Sequence, residues 1–388
     1  MQTEAEAESL PLLERLVGFP TVSRDSNLPL IDFVRNFLSE RGIDSKLVTD
    51  ATGWKANLFA TIGAGDNGGI MLSGHTDVVP VDGQEWRSDP FQLAEREGRL
   101  FGRGAADMKG FLACALRAAD QASRRRLKAP LHLAFSYDEE IGCVGVRPML
   151  ETLHKSSLRP SLCIVGEPTS MQVATGHKGK TGFRATCCGS AAHSALAPTA
   201  LNAIHLAVDF INRLRARQAA LAEGGVQDPA YSVPYTTIHA GIIAGGVALN
   251  IVPHRCLVDF EIRNLAADSP DEILASIQGD ADAVAEAGRA FARNAAIRIE
   301  TLNGYPGLET PAEDAGVAFA RSLVQQRGPM KVDFGTEGGL IHRSLGIPIV
   351  ICGPGSMEQG HKADEFITPE QVTRCDRMMD RIIEHLAT

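Results

Sequence analysis

Five residues able to bind a metal ion, His75, Asp107, Glu140, Glu167 and His361, are spread unevenly along 388 residues, and that unevenness constrains the fold more than any other feature. Four stand in the first half and the fifth near the end. A single site built from all five requires the chain to return, near His361, to where residues 75–167 stand. The first block, Gly74-His75-Thr76-Asp77-Val78-Val79-Pro80, directly follows the apolar run Ile70-Met71-Leu72, which reads as a short buried strand.

The element pattern agrees with such a path. Apolar residues recur at helical spacing between Ser9 and Gly42, predicting two opening helices. Runs at Leu58 to Ile62, Ile70 to Leu72, Leu131 to Ser136 and Leu162 to Val165 predict strands, and Phe111, Leu112, Ala115, Ala118 and Ala119 predict a helix over Gly110 to Ser123. This alternation points to an α/β fold with buried strands. The pattern changes near Gly179. A strand (Phe183 to Cys188), a helix (Ala200 to Arg217), two strands (Thr236 to Ile243, Cys256 to Arg263), a helix (Pro270 to Ala295) and a strand (Ala296 to Glu300) give the βαββαβ layout of a ferredoxin-like domain. A helix at Gly316 to Gln326, a strand at Ile347 to Cys352 and a helix at Thr368 to Leu386 then resume the first pattern. The expected organisation is a discontinuous catalytic domain, residues 1–178 and 303–388, with a smaller domain inserted at 179–302.

Composition excludes several function classes. The length suits two domains, and 44% hydrophobic with 22% charged residues suits a globular protein rather than a disordered one. No apolar run approaches the ~18 to 20 residues that span a bilayer. The acidic start, Met1 to Glu8, lacks the basic and apolar regions of a secretory signal, so a cytoplasmic location is expected. A net charge of −9 argues against a nucleic-acid partner. The one dense basic run, Arg124 to Lys128, reads as a solvated helix end. The eight cysteines contain no Cys-x-x-Cys pair and read as small buried residues, not as disulfides or zinc thiolates.

Each block carries its own chemistry beside a plainer reading. His75 falls just past a strand, where α/β proteins build sites, and Asp77 is placed to accept the second imidazole N–H and fix the tautomer. Asp107, in Gly102-Arg103-Gly104-Ala105-Ala106-Asp107-Met108-Lys109-Gly110, reads alone as a helix cap, yet a carboxylate can also bridge two metals. Asp138-Glu139-Glu140 reads alone as a solvated acidic loop. Adjacent carboxylates at the end of a buried strand are costly without a cation, however, and a metal lets one ligate while the other acts as general base. Glu167 ends another apolar run, and His361 sits in the Gly-rich loop Gly353 to Lys362. Histidine and carboxylate ligands without cysteine suit zinc, cobalt or manganese.

On these blocks, and over nearly its whole length, the chain resembles the zinc-dependent amidohydrolase and exopeptidase family that contains acetylornithine deacetylase, succinyl-diaminopimelate desuccinylase, aminoacylase and glutamate carboxypeptidases. The resemblance implies two divalent metal ions, zinc first and cobalt second. It assigns His75 and Glu167 to one ion and Glu140 and His361 to the other, with Asp107 bridging. It makes Glu139 the general base and Asp77 the residue that orients His75. It gives the inserted domain a dimerising role. There it implies that His193, in Gly189-Ser190-Ala191-Ala192-His193-Ser194, stabilises the oxyanion in the partner's site of a homodimer, and that Asn250 and Arg263 bind substrate. Plainer readings are a surface or capping role for His193, a turn for Asn250 and an ion pair with Glu261 for Arg263. An arginine fork also suits a carboxylate.

Phe334-Gly335-Thr336-Glu337-Gly338-Gly339 and the block from Gly353 to His361 resemble the acetylornithine deacetylase branch. Gly338-Gly339 and Ala105-Ala106 depart from its usual pattern. The expectation is hydrolysis of an N-acyl amino acid, N2-acetyl-L-ornithine giving L-ornithine and acetate. A desuccinylase, an acetylcitrulline deacetylase or a dipeptidase is the near alternative, and a metal-binding scaffold without catalysis the alternative of another class.

Overall fold

The computed structural model describes residues 8–65, 68–156, 158–326, 328 and 330–387. The acidic start thus lies almost wholly outside the described residues. By packing, the chain divides into two compact units: residues 1–176, 308–332 and 336–388, and residues 177–307 with 333–335.

The first unit opens with α1 (Leu10–Val17) and α2 (Leu28–Ser39), each with proline in its first turn, where the missing N–H costs nothing. There follow β1 (Ser45–Thr49), β2 (Ala56–Ile62), β3 (Ile70–His75), α3 (Gly110–Ser123), β4 (Leu131–Ser136), α4 (Val146–Lys155) and β5 (Leu162–Pro168). The second unit runs β6 (Gly179–Cys188), α5 (Ala203–Gly224), β7 (Thr237–Gly245), β8 (Arg255–Asn264), α6 (Pro270–Gly288) and β9 (Ala296–Tyr305). The chain then supplies the first unit with α7 (Ala315–Val324), α8 (Gly338–Leu345), β10 (Ile349–Gly353) and α9 (Pro369–Ala387).

Six strands of the first unit form a mixed sheet in the order β1-β2-β4-β3-β5-β10. β4, β3, β5 and β10 are mutually parallel, while β1 and β2 are antiparallel additions at one edge. Four parallel strands therefore deliver their C-terminal ends, and whatever follows them, to a single sheet edge. β3, β4 and β5 are buried along their whole length, which is why they read as continuous apolar runs.

α3 and the segment before it lie so close to this sheet that Gly166 has no room for a side chain and Gly74 has little. A Cβ on Gly166 would fall 1.9 Å from the Phe111 ring, and one on Gly74 would fall 2.7 Å from the Met108 side chain. Each glycine directly precedes a candidate ligand, Glu167 or His75. The pairing of small residue and ligand thus reflects the packing of α3 and the segment ahead of it as much as the site.

The second unit is a four-stranded antiparallel sheet, β7-β8-β6-β9. One face, with Phe183, Val258, Phe260 and Ile262, packs into a core with Leu206, Phe210, Ile277 and Ala281 of α5 and α6. The expected α6 helix to Ala295 ends instead at Gly288, and the strand after it runs on to Tyr305. α4, α8 and β1 were not expected, nor was a small sheet of Ala94–Arg96, Arg99–Phe101 and Phe366–Ile367.

Candidate metal centre

The sheet edge gathers the sequence candidates of the first unit. His75 is the last residue of β3, Glu139 and Glu140 follow β4, Glu167 is the last but one residue of β5, and His361 lies in the loop after β10. Asp107 comes from the irregular segment Ala105–Lys109 ahead of α3, where its φ of −118° and ψ of 90° are not helical. It does not cap α3, whose N-cap is Lys109.

The Asp107 carboxylate stands between the two histidines. His75 Nε2 lies 3.2 Å from Oδ1, and His361 Nε2 lies 3.1 Å from Oδ2. Glu167 Oε1 is 3.8 Å from His75 Nε2, and Glu140 Oε2 is 3.0 Å from His361 Nε2. Two donor groups thus share one central carboxylate, one oxygen each. Donor atoms of His75, Glu139 and Glu167 lie within 4.8 Å of one another, as do those of His75, Asp107 and Glu140. His75, Asp107 and Glu167 are buried, whereas the His361 side chain is about half exposed at 49%.

Electrostatics show how much negative charge this arrangement gathers. Burial raises the Glu167 and Glu139 carboxyls well above their ordinary range, and neighbouring carboxylates add to it. Glu140 is pushed up to about 7 by burial and by Asp107. His361 is raised to about 10 by its hydrogen bonds to Asp107 and Glu140, with burial opposing. Burial pulls His75 down, but its bonds to Asp107 and Asp77 win and it too is raised well above its ordinary value. Protons are held here because concentrated negative charge needs positive partners. Two imidazoles and three carboxylates, one of them shared, are a donor set that fits a pair of divalent cations in their place.

Asp77 does more than face the imidazole. His75 Nδ1 is 2.9 Å from the Asp77 main-chain carbonyl and 3.5 Å from its carboxylate. The carboxylate oxygens accept the backbone N–H groups of Glu139 (3.1 Å) and Glu140 (3.3 Å), and the Ser23 hydroxyl at 2.7 Å. One buried aspartate therefore fixes both the histidine and the acidic loop. The loop is pinned again where Asp138, at φ +54°, pairs with Lys55 Nζ at 2.5 Å, and where the Cys143 thiol donates to Glu139 Oε1 at 3.2 Å.

Sequence reasoning missed the residue that holds Asp107. Glu365 is buried, and its Oε1 accepts the N–H groups of Ala106 (2.9 Å) and Asp107 (3.0 Å). Its Oε2 accepts the Gly104 N–H at 3.0 Å and Arg103 Nη1 at 2.8 Å. The signal was a second acidic residue shortly after His361. Glu337 was missed as well: it is buried, accepts the Ser136 hydroxyl, and is raised to about 7 by burial.

The three candidates of the second unit lie on its own elements. His193 pairs with Ile251 in a two-stranded ribbon, and its Nδ1 accepts the Ala195 N–H at 3.1 Å. The Asn250 carbonyl accepts the Ser194 N–H at 3.0 Å, so His193 and Asn250 are neighbours, both exposed. Arg263, on β8, donates from Nε to Glu261 Oε1 at 2.8 Å.

A family model described as peptidase family M20/M25/M40 matches residues 71–385, most of the chain and all five candidate ligands. The chain belongs to peptidase family M20/M25/M40. Membership makes it a metal-dependent amidohydrolase. Similar relatives are acetylornithine deacetylases of Pasteurella multocida, 32% identical over 98% of both chains, and of Proteus mirabilis, 33% identical over 97% of this chain and 96% of that one. The fold is shared with a tripeptidase from Staphylococcus aureus (TM-score 0.80, 20% identity, 99% of both chains covered). It is also shared with a dinuclear metal-binding M20 peptidase from Bacillus subtilis (TM-score 0.68, 15% identity, 98% of both chains covered).

Proposed function

We propose that the chain hydrolyses the amide bond of N2-acetyl-L-ornithine, giving L-ornithine and acetate. The observation that carries the chemistry is the shared Asp107 carboxylate with Glu139 beside it. Full-length similarity to acetylornithine deacetylases supports the substrate. In this reading His75 and Glu167 would hold one ion and Glu140 and His361 the other, with the Asp107 carboxylate available to both, zinc expected first and cobalt second. A bound pair of divalent ions would polarise the amide carbonyl and make a water acidic near neutral pH.

The residues of the chain perform the rest. Asp77 holds His75 in one tautomer and aims Glu139 and Glu140 through their backbone N–H groups. Glu139, raised by burial, takes a proton from the attacking water and returns it to the leaving amine nitrogen. Arg263 receives the substrate α-carboxylate and Asn250 a further polar group. His193 stabilises the oxyanion from the second protomer of a homodimer, a contribution of about 3 to 4 kcal/mol for one such donor. Exposed Ile242 and Ile243 on the edge strand β7, with Val247 and Leu249 beyond it, support a dimer formed by this unit. A cytoplasmic location fits a small-molecule substrate, and no described helix is long and apolar enough to cross a membrane.

The test is a substrate panel on metal-stripped enzyme refilled with zinc or cobalt: N2-acetylornithine, N-acetylcitrulline, N-succinyl-diaminopimelate and a dipeptide. The highest kcat/KM is expected for N2-acetylornithine. A preference for any other member transfers the assignment to that substrate, and inactivity on a broad panel favours a non-catalytic scaffold.

A further inference from the structure

The outward face of the second unit's sheet contains an arrangement that sheet stability alone does not explain. Along β8, Val258, Phe260 and Ile262 point into the core, so Asp259, Glu261 and Arg263 share the opposite face. Asp259 is directly opposite Arg184 on β6, and the two form a two-pronged ion pair with both contacts at 2.7 Å. That is how a structural cross-strand pair is satisfied. Arg263 is different, because the residue directly opposite it is Lys180, another cation.

Like charges facing each other across strands destabilise a sheet. Among the described residues, Glu261 is the anion within 4 Å of both. Glu261 Oε1 accepts from Arg263 Nε at 2.8 Å, and its Oε2 lies 3.8 Å from Lys180 Nζ. Tyr305 also lies within hydrogen-bonding reach of Arg263, and nearby Lys178 is tied to the Val233 and Tyr235 carbonyls at 2.7 Å each. His239 stands opposite Glu261 on β7. Glu261 is thus shared between Arg263 and Lys180, so neither cation has a carboxylate of its own as Arg184 has, and the pair suits one incoming carboxylate. The anion is fixed next to where that carboxylate would bind.

We propose that Glu261 is a specificity-determining residue, which accepts the ammonium group of a basic side chain on a substrate whose α-carboxylate rests on Arg263, and repels substrates with acidic side chains. The proposal rests on the assignment of Arg263 to the α-carboxylate. Glu261 touches the guanidinium, so any group bound to that fork lies a few ångströms from its carboxylate. An ammonium on a three-carbon arm from the α-carbon can reach it, while a side-chain carboxylate in the same place meets a like charge. At about 6 Å and an effective dielectric of about 20, one such charge contact corresponds to roughly a hundred-fold in binding. The Glu261 side chain is 25% exposed, and screening reduces the expectation to about ten-fold.

The test compares kcat/KM for N2-acetylornithine with that for N-acetylglutamate, using the metal-loaded enzyme. Glu261→Gln keeps the shape and an acceptor for Arg263 but removes the charge. The ratio of the two specificity constants is expected to fall at least about ten-fold, mainly through KM, and Glu261→Asp is expected to restore most of it. A ratio that stays within about two-fold in Glu261→Gln overturns the proposal, whatever happens to the absolute rates. Arg263→Gln, assayed in parallel, is expected to raise KM for both acids but not for their α-amides. If it leaves KM for the acids unchanged, the assignment of Arg263 fails and takes that of Glu261 with it. If KM rises while Glu261→Gln leaves the ratio unchanged, only Glu261 is removed.

Discussion

At the residue scale, the centre is a set of carboxylates held by more donors than a surface acid ever meets. Glu365 accepts from four donors on the segment that presents Asp107. Its amide analogue would turn an NH2 group toward N–H donors on one side or the other, leaving buried donors unpaired at roughly 1 to 3 kcal/mol. Glu365→Gln is therefore expected to bind metal at least ten-fold more weakly, with a smaller change in KM, because it misplaces the shared ligand without touching substrate. Metal titration of the stripped variant checks this, and wild-type affinity would remove Glu365 from the account. The ligands themselves were legible because each lies in a block with its own pattern. Glu365 was not, because its role depends on a loop far along the chain folding against residues 103–107.

At the element scale, buried strands announce themselves as short apolar runs, and β2, β3, β4 and β5 fall close to where the sequence places them. Helix ends were less legible. α7 stops at Val324 because Gln325 turns to a left-handed φ of +59°, and α6 stops at Gly288 where an alanine-rich run suggested it would continue. The small sheet with Ala94–Arg96 carries too few residues for any period to show. The glycines of the ligand blocks gain their meaning only with α3 in place. Gly166→Ala would drive a methyl group into Phe111 and is expected to destabilise the first unit by about 1 to 3 kcal/mol. Chemical denaturation measures this, and Gly166→Ala combined with Phe111→Leu is expected to recover part of the loss. An unchanged unfolding midpoint in the single variant would show that α3 is free to move away.

At the scale of the whole molecule, the uneven ligand distribution becomes a chain path: out through residues 177–307, and back in time for β10 and the His361 loop. The βαββαβ order of the excursion was legible because its strands alternate and its helices are long. What the excursion does for the site was implied only by resemblance, through His193, Asn250 and Arg263. If His193 serves the partner's centre, a mixture of Glu139→Gln and His193→Ala proteins forms hybrid dimers with one intact site, and activity partly returns. No recovery after subunit exchange would confine His193 to its own protomer.

The account stands or falls on Glu139, the carboxylate that turns a metal-binding edge into a hydrolytic one. The most direct measurement is acetate release from N2-acetylornithine by metal-loaded Glu139→Gln, with metal content determined on the same sample. A loss of at least about 10²- to 10⁴-fold in kcat with wild-type metal content is predicted. Turnover within a few-fold of wild type at full metal content would contradict it.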